Sequence, residues 1–175
     1  MRKTTTLALL ATGLVALGCG SGGATETTKS SGDGAKGEDT PAKTAKVGQP
    51  ARDGKFEFTV KSSKCGVAKV GTSMLGDKAQ GQFCLVTINV KNIGKEAQMF
   101  DGSSQKAYAA DGTEYSADSG AAIYANKNAE TFLNEINPGN QVSGVVVFDI
   151  PKNVKLAKLE LHDSPFSGGV DVALG

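Results

Sequence analysis

After residue 54 the chain alternates apolar and polar side chains with a period of two, the pattern of strands that bury one face. Phe56, Phe58 and Val60 alternate with Lys55, Glu57, Thr59 and Lys61. Between Phe83 and Asn92, the side chains of Cys84, Val86, Ile88 and Val90 share one face. The other face begins with Phe83 and Leu85 and turns polar at Thr87 and Asn89. This predicts a central strand that ends at the turn Asn92-Ile93-Gly94. Asp111-Gly112 lies between short Tyr-bearing runs and predicts a two-residue hairpin, because glycine accepts the positive φ such a turn needs. Residues 117–126 are small and irregular, enough for one helical turn. A strand is predicted over 131–136. Asn137-Pro138-Gly139-Asn140 then reads as a type II turn, with proline at the first corner and glycine at the second. Within 141–150, Val145-Val146-Val147-Phe148 suits a strand covered on both sides, and Pro151 ends it. Over 156–162, Ala157, Leu159 and Leu161 alternate with Lys158, Glu160 and His162. A last short strand is predicted over 170–174. Seven to eight short strands with turn signals between them fit an all-β sandwich.

The N-terminal part has a different character. Met1-Arg2-Lys3 is positive, and Leu7 to Leu17 is apolar or small without a charge. Eleven residues make the core of an export signal and fall short of the about 20 a membrane-spanning helix needs. The junction Val15-Ala16-Leu17-Gly18-Cys19 resembles the lipobox of bacterial lipoproteins. That resemblance implies cleavage before Cys19 and thioether lipidation of its thiol. Ala16-Leu17-Gly18 is also a small-x-small site for ordinary signal peptidase, which would leave Cys19 free. A lone cysteine closing the signal favours the lipid. Residues 20–50 hold Gly, Ser, Thr, Ala and balanced charges, with Val47 as their one bulky apolar side chain. Such a stretch cannot bury enough surface to offset ordering entropy. It predicts a disordered spacer with a reach of about 30 Å. The expected organisation is therefore a signal peptide over 1–18, a lipid-anchored linker over 19–50 and a folded domain over 51–175.

Charge removes several classes of partner. Nineteen Lys and Arg face eighteen Asp and Glu, a net of +1. Residues 51–175 keep thirteen basic and fourteen acidic side chains, well mixed along the chain. No run marks a nucleic-acid surface, and without tryptophan there is little to stack bases on. Cys65 and Cys84 remain as a pair once Cys19 is assigned to the lipid. In an exported chain an even count without Cys-x-x-Cys predicts a structural disulfide.

Three segments taken together resemble a known family. They are Gly81 to Gly94 with its Lys91-Asn92-Ile93-Gly94 ending, Ala110-Asp111-Gly112-Thr113-Glu114-Tyr115, and Asn137-Pro138-Gly139 followed by Val145 to Pro151. The resemblance is to the telokin-like, immunoglobulin-like domain of unknown function in exported bacterial lipoproteins. It covers about residues 53–175 and implies an immunoglobulin-like sandwich without implying an activity. Two departures from antibody domains matter. No tryptophan is present to pack on a bridge, and Cys65 to Cys84 is too short for an inter-sheet bridge. The bridge is therefore expected to be local.

The chain is poor in catalytic candidates. His162 is its one imidazole, and alternation points it outward beside Glu160. Ser164 and Ser167 lie near it, but no Gly-x-Ser-x-Gly elbow exists. Asp101, Asp111, Glu114 and Asp118 cluster in sequence and are the best calcium candidates, although their spacing is not that of an EF-hand. Met74 and Met99 are far from His162 in sequence, which argues against copper, and Met99 beside Phe100 reads as core. No catalytic residue, metal or cofactor is expected. The expected role is that of a non-catalytic module on the outer side of the cell membrane, held there by lipid on Cys19. Its ligand would be a protein, a peptide or a wall polymer. The alternative is an inhibitor of a protease or other hydrolase. The excursion 66–81 and the region 101–128 are the first places to look for contacts, and a sheet edge could accept an added strand.

Overall fold

The computed structural model describes residues 44–128 and 131–175. The signal segment, Cys19 and the tether before residue 44 lie outside the described residues. The domain is a two-layer sandwich of strands β1 (Ala45–Lys46), β2 (Pro50–Asp53), β3 (Phe56–Gly71), β4 (Gly76–Asn92), β5 (Gln98–Met99), β6 (Lys106–Ala109), β7 (Glu114–Ser116), β8 (Glu135–Ile136), β9 (Gln141–Ile150), β10 (Leu156–Leu161) and β11 (Val170–Ala173). One sheet runs β1-β11-β10-β6-β7, the other β2-β3-β4-β9, and β5 pairs with β8. One short helix, α1 (Ser119–Ala125), and a single 3₁₀ turn (Gly102–Ser104) complete it.

The period-two pattern builds the core. Phe56, Phe58, Val60, Val86, Ile88, Val90, Phe148 and Ile150 point inward from the four-stranded sheet. Ala107, Leu159, Leu161 and Val172 face them from the other. Each large side chain so buried contributes about 1.5–3 kcal/mol. Phe56, Phe58 and Phe100 form an aromatic cluster with ring centroids 5.9–6.0 Å apart. The outer face of the same sheet is covered too: Phe83, Val147 and Val70 pack on Ala121 of α1. The run from Val145 to Phe148 is thus buried on both sides, and Gln141–Ile150 is one continuous strand.

Four expectations are corrected. The fold begins at Ala45, not at residue 51. β1 pairs in parallel with β11, and Ala45 and Ala51 are small enough to be buried at the sandwich edge. The segment 66–81 is not a loose excursion. Long β3 and β4 carry on past the core as a hairpin arm, closed by a turn at Thr72 to Leu75. The Asp111-Gly112 turn is a three-residue loop. Gly112 N–H donates to Ala109 O and Gly112 sits at φ +86°, the combination of a type I turn followed by a left-handed residue. Over 131–136 only Glu135–Ile136 is strand; Thr131 closes a turn instead, donating its N–H to Asn128 O.

The arm is fixed at its base. Cys65 and Cys84, on neighbouring strands, are joined by a disulfide with their Cα atoms 3.9 Å apart. Beyond it the register shifts, because β4 carries extra residues between Lys78 and Phe83. The extra backbone is not left bare. The Asp149 carboxylate accepts from the N–H groups of Gln80 (2.6 Å) and Gly81 (3.0 Å). The Gln82 amide donates to the carbonyls of Pro151, Lys152 and Val154. Gly81 lies against the Ile150 carbonyl, where no side chain would fit. The bulge bends the arm so that Val70 returns onto α1.

Candidate functional site

The region 101–128 folds into the lid of a cavity. Asp118 starts α1 by accepting the Ala121 N–H at 2.9 Å, and Asn126 ends it. Seven residues are too few to hold a helix in water, so packing must. Two contacts fix it to β9. The Asn126 amide both donates to Val145 O (2.9 Å) and accepts from Val145 N–H (2.8 Å), as a neighbouring strand would. The Asp118 N–H donates to Val147 O at 2.7 Å. These bonds occupy the outer edge of β9 at Val145 and Val147, so that stretch of edge is not open to an added strand.

Between α1, the 3₁₀ turn and β9 lies a cavity of about 200 Å³. Val145 to Val147 form its floor, and Phe100 and Phe132 its wall, with ring centroids 4.8 Å apart. Gly144 lets the Phe132 ring lie directly on β9; a side chain there would overlap it. The lips are Met99, Ile123 and Leu133, which are 58%, 50% and 62% exposed. Large apolar side chains are thus left in water around an apolar hollow, the combination that makes this the candidate site.

The carboxylates and the amide of the cavity are already engaged, while the Ser119 hydroxyl is exposed at its mouth. The Asp101 carboxylate accepts from Ser103 N–H (2.8 Å), Ser103 Oγ (2.6 Å) and Ser104 Oγ (2.6 Å). Burial opposes its ionisation, but these donors prevail and hold the carboxyl below its ordinary range. Asp118 caps α1 and Asn126 clamps Val145. What the hollow offers is therefore apolar contact, not an ion-pair or a ligand set for a cation.

The acidic candidates do not converge. Asp101 and Asp118 cap turns. Asp111 accepts the Thr113 N–H, which lowers its pKa at the surface. Glu114 accepts from the Tyr108 hydroxyl (2.8 Å) and Lys106, and its carboxyl is held low by both. The Tyr108 phenol is pushed up, first by removal from water and then by Glu114. Among the described residues no group of three or more His, Cys, Asp or Glu stands where it could hold a metal. No helix among them is long and apolar enough to cross a membrane.

His162 is not on the surface. It is 7% exposed, because the loop after it folds back and lays Gly169 on the ring. Its Nε2 is 2.8 Å from Glu160 Oε1 and its Nδ1 3.3 Å from Ser167 Oγ. A carboxylate only accepts, which places a proton on Nε2. The Ser167 hydroxyl also bonds the Ser164 carbonyl at 3.0 Å. None of the three lines the cavity. The trio works as a tie between β10 and its following loop.

Met99 is also displaced from its expected place: it is a lip of the cavity, while Phe100 is core. Sequence reasoning singled out 101–128 but missed Phe132, Leu133 and the floor of β9. One signal was available. Ile123 and Tyr124 are adjacent in a short helix whose inward face is Ala121, Ala122 and Ala125, so both must point outward.

Residues 45–172 match the profile of a family described as a domain of unknown function, DUF4352. A comparison with curated proteins gave no match. Among solved structures, the fold is similar to that of the yjhA protein from Bacillus subtilis, at 15% identity and a TM-score of 0.53, covering 75% of this chain and 99% of that one. It is similar also to MPT63, a secreted protein from Mycobacterium tuberculosis, at 18% identity and a TM-score of 0.52, covering 74% and 92%. A β-sandwich protein from Clostridium difficile follows at 14% identity and a TM-score of 0.49, covering 77% and 96%.

Proposed function

The chain belongs to the DUF4352 family, and from that premise we propose an exported, lipid-anchored envelope protein whose sandwich is a non-catalytic binding module. The binding site is the cavity beneath α1, and its ligand is an apolar side chain of a protein or peptide. The carrying observation is the apolar hollow with three exposed apolar lips and no uncommitted charge inside it. A wall polymer would need several polar groups directed at its hydroxyls, and the carboxylates and amide at this site are bonded to the protein itself. Export is supported by the signal-type segment, by Cys19 at its end and by the bridge between Cys65 and Cys84. The resemblance of fold to a secreted protein is in keeping with it.

The test is a photoreactive amino acid placed at Leu133 or Ile123 in producing cells. A discrete protein adduct is expected at both lips and none at Thr113, on the distant β6–β7 turn. Leu133→Glu should weaken binding of the captured partner about tenfold or more, since one buried apolar side chain contributes about 1.5–3 kcal/mol. Absence of adducts at both lips, or equal adducts at Thr113, would refute the site. Fatty-acid analogue labelling of wild type against Cys19→Ser tests the anchor separately.

A further inference from the structure

The hairpin arm combines two features. At its tip Met74 is 92% exposed and Leu75 69% exposed, side by side and touching none of the core. The tip is also well formed. Thr72 N–H donates to Leu75 O, and the Thr72 hydroxyl accepts from Leu75 N–H at 3.0 Å. Two large apolar side chains are thus held out into water by a closed turn.

The second feature is charge. Residues 61–83 carry Lys61, Lys64, Lys69 and Lys78 against Asp77 alone, whereas 84–175 carry seven lysines against eleven Asp or Glu. The charges balance over the whole domain, but within this segment they are almost all positive. Lys69 and Lys78 are direct cross-strand partners, an arrangement of like charges that weakens a ladder unless something outside compensates. The Lys69 ammonium reaches forward to within 3.4 Å of Ser73 O, beside Met74. All four lysines are exposed.

We propose that the arm docks on an anionic lipid surface, with Met74 and Leu75 entering the headgroup–acyl boundary and Lys69 and Lys78 meeting the lipid phosphates. An apolar tip flanked by cations is the composition that interfacial segments use, and each lysine near an anionic surface strengthens binding about fivefold. The bend fixed by Asp149 and Gln82 and the bridge at Cys65 hold the arm in shape, so little ordering is lost on docking. A protease cleft is a poorer occupant, because it takes an extended segment and this tip is a closed turn. The inference does not require lipid on Cys19. On an anchored chain the same contact would become intramolecular and stronger.

The experiment uses the mature chain with Cys19→Ser and vesicles of phosphatidylcholine with or without phosphatidylglycerol. The chain has no tryptophan, so Met74→Trp provides a single reporter at the tip. Its emission is expected to shift to the blue with phosphatidylglycerol vesicles and to stay unchanged with phosphatidylcholine alone. Co-sedimentation should weaken about tenfold in the double variant Met74→Ser/Leu75→Ser and about 25-fold in Lys69→Gln/Lys78→Gln. It should also fall steeply with added salt. The affected side chains are exposed and Lys69 faces Lys78, so no variant should lower the wild-type thermal midpoint. No vesicle binding, or equal binding by the tip variant, would overturn the proposal. So would tight inhibition of a hydrolase by the wild-type tip with no vesicle binding. Leu133→Glu leaves vesicle binding intact, which separates this surface from the cavity.

Discussion

Replacing Asn92 by alanine is expected to remove about 4–6 kcal/mol of stability. Asn92 is fully buried at the end of β4, inside the Lys-Asn-x-Gly segment. Its Nδ2 donates to the carbonyls of Glu96 and Ile136, both at 2.7 Å, and its Oδ1 accepts the Gly94 N–H at 2.8 Å. The same residue holds the type II turn through its backbone, donating to Asn140 O and accepting from Gly139 N–H. The side chain therefore ties the end of β4 to β8 and to the loop between β4 and β5. Three hydrogen bonds contribute about 1 kcal/mol each, and a buried carbonyl left without a donor adds about 1–3 kcal/mol. That is a large part of the roughly 5–15 kcal/mol typical of a domain. Asn92→Asp gives a sharper test. It sets an acceptor against two carbonyls, so the folded state favours the protonated acid and raises its pKa. A raised acid pKa means that this variant gains stability relative to wild type as pH falls, and loses it as pH rises through the folded value. Urea unfolding followed by far-ultraviolet circular dichroism measures both variants. An Asn92→Ala loss below about 1 kcal/mol, or an Asn92→Asp deficit that does not shrink in acid, would refute this account.

Four further outcomes are expected. Cys65→Ser/Cys84→Ser should cost about 3 kcal/mol by the chain-entropy relation for a loop of about 20 residues, and limited proteolysis should then cut between them first. Asp118→Ala removes the cap of α1; a loss of about 1 kcal/mol, with weaker partner binding at the cavity, is expected in denaturation and binding assays. Gly144→Val drives a side chain into the Phe132 ring, and an overpacking cost of about 1–3 kcal/mol should appear in the thermal midpoint together with loss of cavity binding. Asp101 has its carboxyl held below 3.8, so its contribution is complete above that value and is lost as pH falls through the folded pKa. Asp101→Asn should therefore unfold with a shallower acid dependence than wild type.

Much of the fold was readable because alternation reports burial directly. Phe56, Phe58 and Val60 needed no partner to declare an inward face, and Pro138-Gly139 permits only a few turns. Burial on both sides of Val145 to Phe148 was legible for the same reason. The site was legible only in part. The cavity needs Phe132, Leu133 and β9, which lie beyond the helix in sequence and meet it only after the strands pair.

The local pattern by itself settled the core segments of the main strands, the turn before β9 and the sandwich class, since each follows from a period of two and from the φ values that Pro and Gly allow. Tertiary structure decided what the pattern could not carry. It turned a glycine-rich excursion into a bent arm, because Asp149, Gln82 and a neighbouring cysteine supply bonds from distant parts of the chain. It buried His162 by folding a loop onto its ring, against the alternation that pointed it to water. It also set Lys69 directly opposite Lys78, because a hairpin brings residues of its two strands together. Those outcomes depend on which strands lie side by side, and alternation within one strand is silent about its neighbours.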